Sequence, residues 1–165
     1  MMSEHDEENK NKNKNKKINK SEPTNYELKY YIKTGVTLKE YKMHQHVYRL
    51  GIVNTPKILA YGKETQVMVL EKINQMCVSD YYGDKGKDIS LVLFDNIKEA
   101  IKKLWDNNIV YPDITGYNFI EYENKLWIID FEHSNFKPLV KKEHVEFVNK
   151  FANDKNFRKW NPEFK

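Results

Sequence analysis

Asp113, Asn118 and Asp130 fall within one stretch, "YPDITGYNFIEYENKLWIIDFE", residues 111–132. Two carboxylates and an amide are the groups that phosphoryl transfer needs. One carboxylate beside an attacking hydroxyl or water can orient it and take its proton. The amide and the second carboxylate can hold Mg²⁺ against phosphate oxygens. Mg²⁺ prefers hard oxygen donors and keeps several waters, so two protein ligands suffice. The same residues also suit turn chemistry. Asp113 can cap a turn after Pro112, Asn118 can take a left-handed conformation, and Asp130 can end a strand.

What would bring them together is a β-hairpin. "NFIEY" and "KLWII" alternate around Glu123-Asn124, a turn signal. Such a hairpin holds the loops before and after it within a few ångströms of each other. Asn118 and Asp130, twelve residues apart, would then meet at one ion. Upstream, "YELKYYIK" at 26–33 alternates, which predicts a half-buried strand with Tyr26, Leu28, Tyr30 and Ile32 on the apolar face. "TLKEYKMHQHVYRL" predicts a helix over about 38–50, opened by a Thr37/Glu40 capping box and stopped by Gly51. Residues 57–61 and 66–72 read as two short strands around Gly62. A loop region with a possible short helix fills 73–88. The strongest helical periodicity runs through Phe94, Ile97, Ile101, Leu104 and Trp105, and Asn107-Asn108 can end it. A last amphipathic helix is predicted across "LVKKEHVEFVNKFAND". The order is strand, helix, two strands, long helix, hairpin, helix: an α+β fold.

Composition bounds the rest. A chain of 165 residues suffices for one domain with a real core. Residues 1–25 carry six Lys and five acids and almost nothing apolar, so they are expected to form a disordered Lys/Asn-rich tail. The domain is expected over 26–165. A net charge of +4 favours acidic or phosphorylated partners without marking a nucleic-acid binder, and Lys outnumbers Arg 26 to 2. Duplex readers more often use bidentate Arg. Cys77 is alone, which rules out an internal disulfide and fits a reducing, cytoplasmic compartment. No apolar run is long enough for a signal peptide or a membrane span. His44 and His46 point apart on their helix, and His133 and His144 lack partners at ligand spacing. Trp105 and Trp127 read as core.

"YPDITGYN" followed by "IIDFE" resembles the catalytic loop and metal-binding segment of the protein-kinase-like fold. The "DIT--N" form is most similar to the small atypical kinases, such as the RIO group and the kinase/ATPase subunit of the KEOPS complex. "VMVLEKI" resembles the strand leading into the hinge, and "EYKMHQHVYRLGI" before Pro56 resembles the helix that carries the family's Glu. The resemblance covers about residues 26–136. It implies a truncated kinase-like fold, with a small lobe over about 26–72 and a reduced helical lobe over 73–165. It implies ATP and Mg²⁺ as cofactors, Asp113 as catalytic base, and Asn118 and Asp130 as metal ligands. Lys33 would contact the nucleotide phosphates and Glu40 would pair with it. The backbone at Glu71, Lys72 and Ile73 would meet adenine.

There are departures from the family pattern. Tyr111 and Pro112 replace the His and Arg before the catalytic Asp, and Glu132 replaces the Gly of Asp-Phe-Gly. No Gly-rich loop precedes the first strand. Lys33 and Glu40 are only seven residues apart, with Lys29 as the fallback lysine. Asn-Pro-Glu at 161–163 echoes the motif ending an activation segment. A predicted helix fills the gap before it, so it is assigned no role. The expected function is a serine/threonine protein kinase, slow or mainly an ATPase, acting on a protein partner. The alternative is a pseudokinase that keeps the fold as a binding module.

Overall fold

The computed structural model describes residues 29–164. The expected tail, with Tyr26 and Leu28 of the predicted first strand, lies outside the described residues. The chain runs β1 (Tyr30–Lys33), α1 (Leu38–Leu50), β2 (Ile58–Gly62), β3 (Val67–Glu71), α2 (Val78–Tyr82) and α3 (Leu91–Asp106). It continues through β4 (Ile109–Val110), β5 (Phe119–Tyr122), β6 (Lys125–Ile128), β7 (Asn135–Phe136) and α4 (Lys142–Asn153). The expected α+β order holds, with one addition: β4 and β7 pair antiparallel, two residues each. Among the described residues no helix is long and apolar enough to cross a membrane.

The first lobe is a three-stranded antiparallel sheet in the order β1-β3-β2, backed by α1. Thr37 caps α1, its hydroxyl accepting from the Glu40 amide at 3.2 Å, and Gly51 ends it in the left-handed conformation at φ 63°. Only half of the predicted capping box forms, because the Glu40 carboxylate is committed elsewhere. This lobe's core is small: Val36, Met68 and Leu70, with Tyr41 stacked on Tyr61 at 4.2 Å. The predicted inward face of β1 is corrected. Tyr30 and Ile32 remain 49% and 64% exposed, and the alternate residues Tyr31 (itself 54% exposed) and Lys33 line the cleft between the lobes. Alternation separates two faces of a strand but does not say which one the neighbours cover.

The second lobe packs around α3. Ser90 caps that helix, and Phe94, Ile97, Ile101 and Leu104 are buried along one stripe. Each such side chain contributes about 1.5–3 kcal/mol. α4 lies against α3 through Val148 and Phe151. It starts at Lys142 rather than Leu139, because Pro138 sets a short 3-10 turn over Lys137–Leu139 that leaves Leu139 exposed. Lys98 is buried and donates to the carbonyls of Phe151, Asp154 and Phe157, satisfying the end of α4 with a cation.

A histidine joins the lobes. His44 of α1 is buried, its Nε2 is 2.7 Å from the Pro56 carbonyl, and its ring meets Phe131 edge-on at 5.1 Å. Phe131 in turn meets Tyr111 at 5.5 Å. Burial lowers the His44 pKa below its ordinary 6.5, with the Pro56 carbonyl opposing. The unfolded chain therefore takes the proton first as pH falls. The stability His44 contributes is complete above 6.5 and lost as pH drops through the lowered folded value. Urea midpoints should fall between pH 7 and pH 5 in the wild type (about neutral to mildly acid conditions), and His44→Gln should flatten that slope.

Candidate active site

The hairpin β5–β6 does what its sequence requires. Glu123 and Asn124 adopt positive φ of 51° and 58°, the two-residue turn that matches strand twist, and Phe119 pairs with Ile128. Pairing continues one step beyond the strands: the Ile129 amide donates to the Asn118 carbonyl at 3.0 Å. Asn118 and the residue before Asp130 are thus bonded neighbours. Asn118 is buried, and its Nδ2 donates to the Asp113 carbonyl at 2.9 Å. That use of the amide nitrogen leaves the amide oxygen as the group available to a cation.

Asp130 sits in the left-handed region at φ 64°, a cost of order 1 kcal/mol for a residue with a Cβ. Its Oδ1 accepts from the Glu132 amide at 3.2 Å and from Lys33 Nζ at 3.1 Å. Lys33 Nζ also bonds the Glu40 carboxylate. One ammonium therefore joins β1, α1 and the segment after β6, groups up to 97 residues apart in the chain. Glu40 is 2% exposed. Burial works against the Lys33 charge, but Glu40 and Asp130 outweigh it and hold its pKa above the ordinary value. Burial likewise pushes the Glu40 carboxyl up, against the pull of Lys33.

Lys33, Asn118 and Asp130 line a cleft of about 380 Å³ between the lobes, within the size range of small-ligand sites. Glu71, Lys72 and Ile73 line it as well, with Leu70, Ile120 and Ile129 supplying apolar walls. The Glu71 side chain accepts from the Lys57 amide at 2.9 Å, so it braces the strands. Of the two candidate phosphate lysines, Lys33 lines the cleft and Lys29 does not. Asp113 lies outside that lining, on the loop ahead of the 3-10 turn Gly116–Asn118. Burial raises its pKa above the ordinary 3.8. The Asn118 side chain opposes the rise and the Asp130 charge adds to it.

The loop carrying Asp113 is held from behind. Tyr111 is fully buried and donates to the Ile129 carbonyl at 2.6 Å, which explains how the loop tolerates a Tyr where the kinase pattern has His. Burial pushes the phenol pKa well up, so it stays a donor. Gly116 packs so closely on Ser79 that a Cβ would fall on the Ser79 hydroxyl.

A residue outside the Asp113, Asn118 and Asp130 constellation closes the loop. Asn161 is buried, its Nδ2 donates to the Pro112 carbonyl at 2.8 Å, and its amide donates to the Ile114 carbonyl at 2.8 Å. The carbonyls on both sides of Asp113 are thus fixed by one side chain and its own backbone. The Asn-Pro-Glu echo was the signal, but its partners are backbone atoms 49 residues away. The Pro112 carbonyl also accepts from the Ile114 amide at 2.8 Å, so Asn161→Ala removes one buried hydrogen bond without stranding that carbonyl. It should cost about 0.5–1.5 kcal/mol, read as a shift in urea midpoint.

The family model describing the RIO domain matches residues 2–157. The chain belongs to the RIO domain family. Among solved structures this RIO domain is similar to WaaP in complex with acyl carrier protein, at 14% identity and a TM-score of 0.55. That likeness covers 74% of this chain and 60% of WaaP. It is also similar to the Rio2 kinase of Chaetomium thermophilum, solved as an ADP/Mg²⁺–phosphoaspartate complex, at 12% identity and a TM-score of 0.51. There it covers 72% of this chain and 36% of that kinase. The chain spans less than two thirds of either structure, and at these identities the likeness is one of fold. A comparison with curated proteins finds no match. The fold is therefore a truncated kinase-like one, as the motifs at 111–118 and 128–132 imply.

Proposed function

We propose that this RIO domain is an ATP- and Mg²⁺-dependent phosphotransferase whose acceptors are serine or threonine hydroxyls of a protein. The observation that carries the reading is the Lys33 ammonium bonded to both Glu40 and Asp130 on the wall of the interlobe cleft. A cleft kept only as a docking relic has no need of that buried charge pairing. The donor chemistry fits Mg²⁺: one carboxylate and one amide oxygen, both hard, both on the same wall. Among the described residues no cluster of three or more His, Cys, Asp or Glu gathers to hold a metal. That excludes a closed all-protein cage of such residues and suits an ion shared with phosphate. When bound, Mg²⁺ supplies charge neutralisation on the phosphate oxygens.

The residues divide the work. Lys33 contacts the phosphates, and Glu40 keeps it extended across the cleft. The backbone from Glu71 to Ile73 meets adenine. Asp113 orients the acceptor hydroxyl. The hydroxyl oxygen attacks the γ-phosphorus, the bond to the β,γ-bridging oxygen breaks, ADP leaves, and the hydroxyl proton passes to Asp113. Glu132 replaces the family's Gly two residues after Asp130, its amide donating to Asp130 Oδ1 at 3.2 Å, and the sequence ahead of β1 holds no glycine from which a phosphate-covering Gly-rich loop could be built. Turnover is accordingly slow, and water competes with the acceptor.

The test is incubation with γ-labelled ATP and Mg²⁺, followed by phosphoamino-acid analysis and measurement of released phosphate. Label on serine or threonine, or phosphate release alone, is the expected outcome, with both lost in Asp130→Ala. Neither product in the wild type, or unchanged product in the variant, refutes the assignment.

A further inference from the structure

Beyond the cleft, a second groove of about 460 Å³ lies between the turn at 84–87 and the segment at 157–162. Both of its walls are tied to the loop that carries Asp113. On one side the Tyr117 hydroxyl donates to Asp84 at 2.6 Å. On the other, Asn161 donates to the Pro112 and Ile114 carbonyls, at 2.8 Å each. Whatever occupies this groove is registered against Asp113 through those bonds.

The groove's chemistry is cationic over aromatic. Lys85, Lys87 and Lys159 are exposed on its rim, and none has an ion-pair partner among the described residues. Arg158 is already paired with Asp95 at 2.7 Å. The one acid in the lining, Asp84, is bonded to Tyr117. Two N–H donors on the wall, Trp160 Nε1 and Arg158 Nε, are buried with no acceptor. Both atoms lie beneath the surface, so the groove's charge preference is set by the three exposed lysines. Gly86 stands beside the indole nitrogen: a Cβ built on it would lie 3.9 Å from Trp160 Nε1.

The aromatic rings argue against stacked bases. One face of Phe157 is covered by Lys150 Nζ at 4.8 Å, and Trp160 is stacked on Phe94 at 4.9 Å. Nucleic-acid platforms need free ring faces. Phe147, Phe157, Trp160 and Pro162 give the groove an apolar lining beneath the lysine rim, which suits an apolar side chain flanked by carboxylates.

We propose that this groove docks the phosphate acceptor, and that it selects an acidic polypeptide segment bearing one bulky apolar side chain. The assignment rests on the phosphotransferase reading for its link to Asp113, but the binding itself does not. The probe is a fluorescein-labelled twelve-residue peptide of Asp and Glu around one central Phe, followed by anisotropy with the full chain. Against Lys85→Glu/Lys87→Glu/Lys159→Glu, affinity should fall about ten-fold or more, the sum of three exposed ionic contacts. The same peptide with Ala for Phe should also bind more weakly. The melting shift given by Mg²⁺–ATP should be the same in wild type and triple variant. Absence of peptide binding to the wild type overturns the proposal, as does equal binding to the variant or tighter binding of a twelve-nucleotide oligo-U. Peptide binding without any Mg²⁺–ATP shift retires the phosphotransferase reading and leaves the groove standing.

Discussion

Asp113→Asn is expected to slow phosphoryl transfer by about 10²–10⁴-fold, the usual contribution of a positioned base, while leaving nucleotide binding and the fold intact. The fold is spared because what anchors this loop is the Asp113 backbone. Its carbonyl receives the Asn118 amide and the Thr115 amide, and the neighbouring carbonyls receive Asn161. An amide in place of the carboxylate preserves shape and removes only the proton acceptor. The pH profile adds a second readout. The base must be ionised to act, and burial raises its pKa, so the acid limb of the rate profile should lie above the ordinary 3.8. Steady-state transfer rates across pH, with melting temperature and Mg²⁺–ATP shift as controls, check both. A variant as active as the wild type removes Asp113 from the chemistry.

The second large effect belongs to Lys33→Met. Among the described residues it removes the only cation bonded to a 2%-exposed carboxylate, Glu40, and also uncouples Asp130 from the first lobe. Breaking one side of a buried pair costs on the order of 3 kcal/mol, because the charge left behind is desolvated and uncompensated. Glu40 can relieve part of that cost by taking a proton, a change its raised pKa already favours. Lys33→Met should therefore lower stability and abolish Mg²⁺–ATP binding together. Adding Glu40→Gln should restore much of the stability but none of the nucleotide binding. Chemical denaturation and nucleotide titration of the three proteins separate the two roles. Stability left unchanged in Lys33→Met denies the pair its structural part.

Much of this arrangement can be read in the sequence. The spacing of Asp113, Asn118 and Asp130 around a turn-forming Glu123-Asn124 predicts the hairpin and the meeting of its flanking loops. The stripe from Phe94 to Leu104 predicts α3, and Thr37 with Gly51 bounds α1. The distance from Lys33 to Glu40 looks too short for the family, yet the two pair. β1 runs straight into α1, so a seven-residue separation spans the corner. What was not legible has physical reasons. β4 and β7 are two residues each, too short for any periodicity. Tyr30 and Ile32 look like a core face, but only the strand's neighbours decide which face is covered. Asn161 acts through carbonyls distant in the chain, and no local pattern marks such a partner.

For the proposed transfer, Asn118, Asp130 and Lys33 must together hold a metal-bound triphosphate at one wall of the cleft. Isothermal titration of ATP, with and without Mg²⁺, into the wild type and Asp130→Ala tests this most directly. The wild type should bind ATP in a Mg²⁺-dependent manner, and Asp130→Ala should lose that dependence. ATP binding that is indifferent to Mg²⁺ in the wild type, or identical in the two proteins, would contradict it.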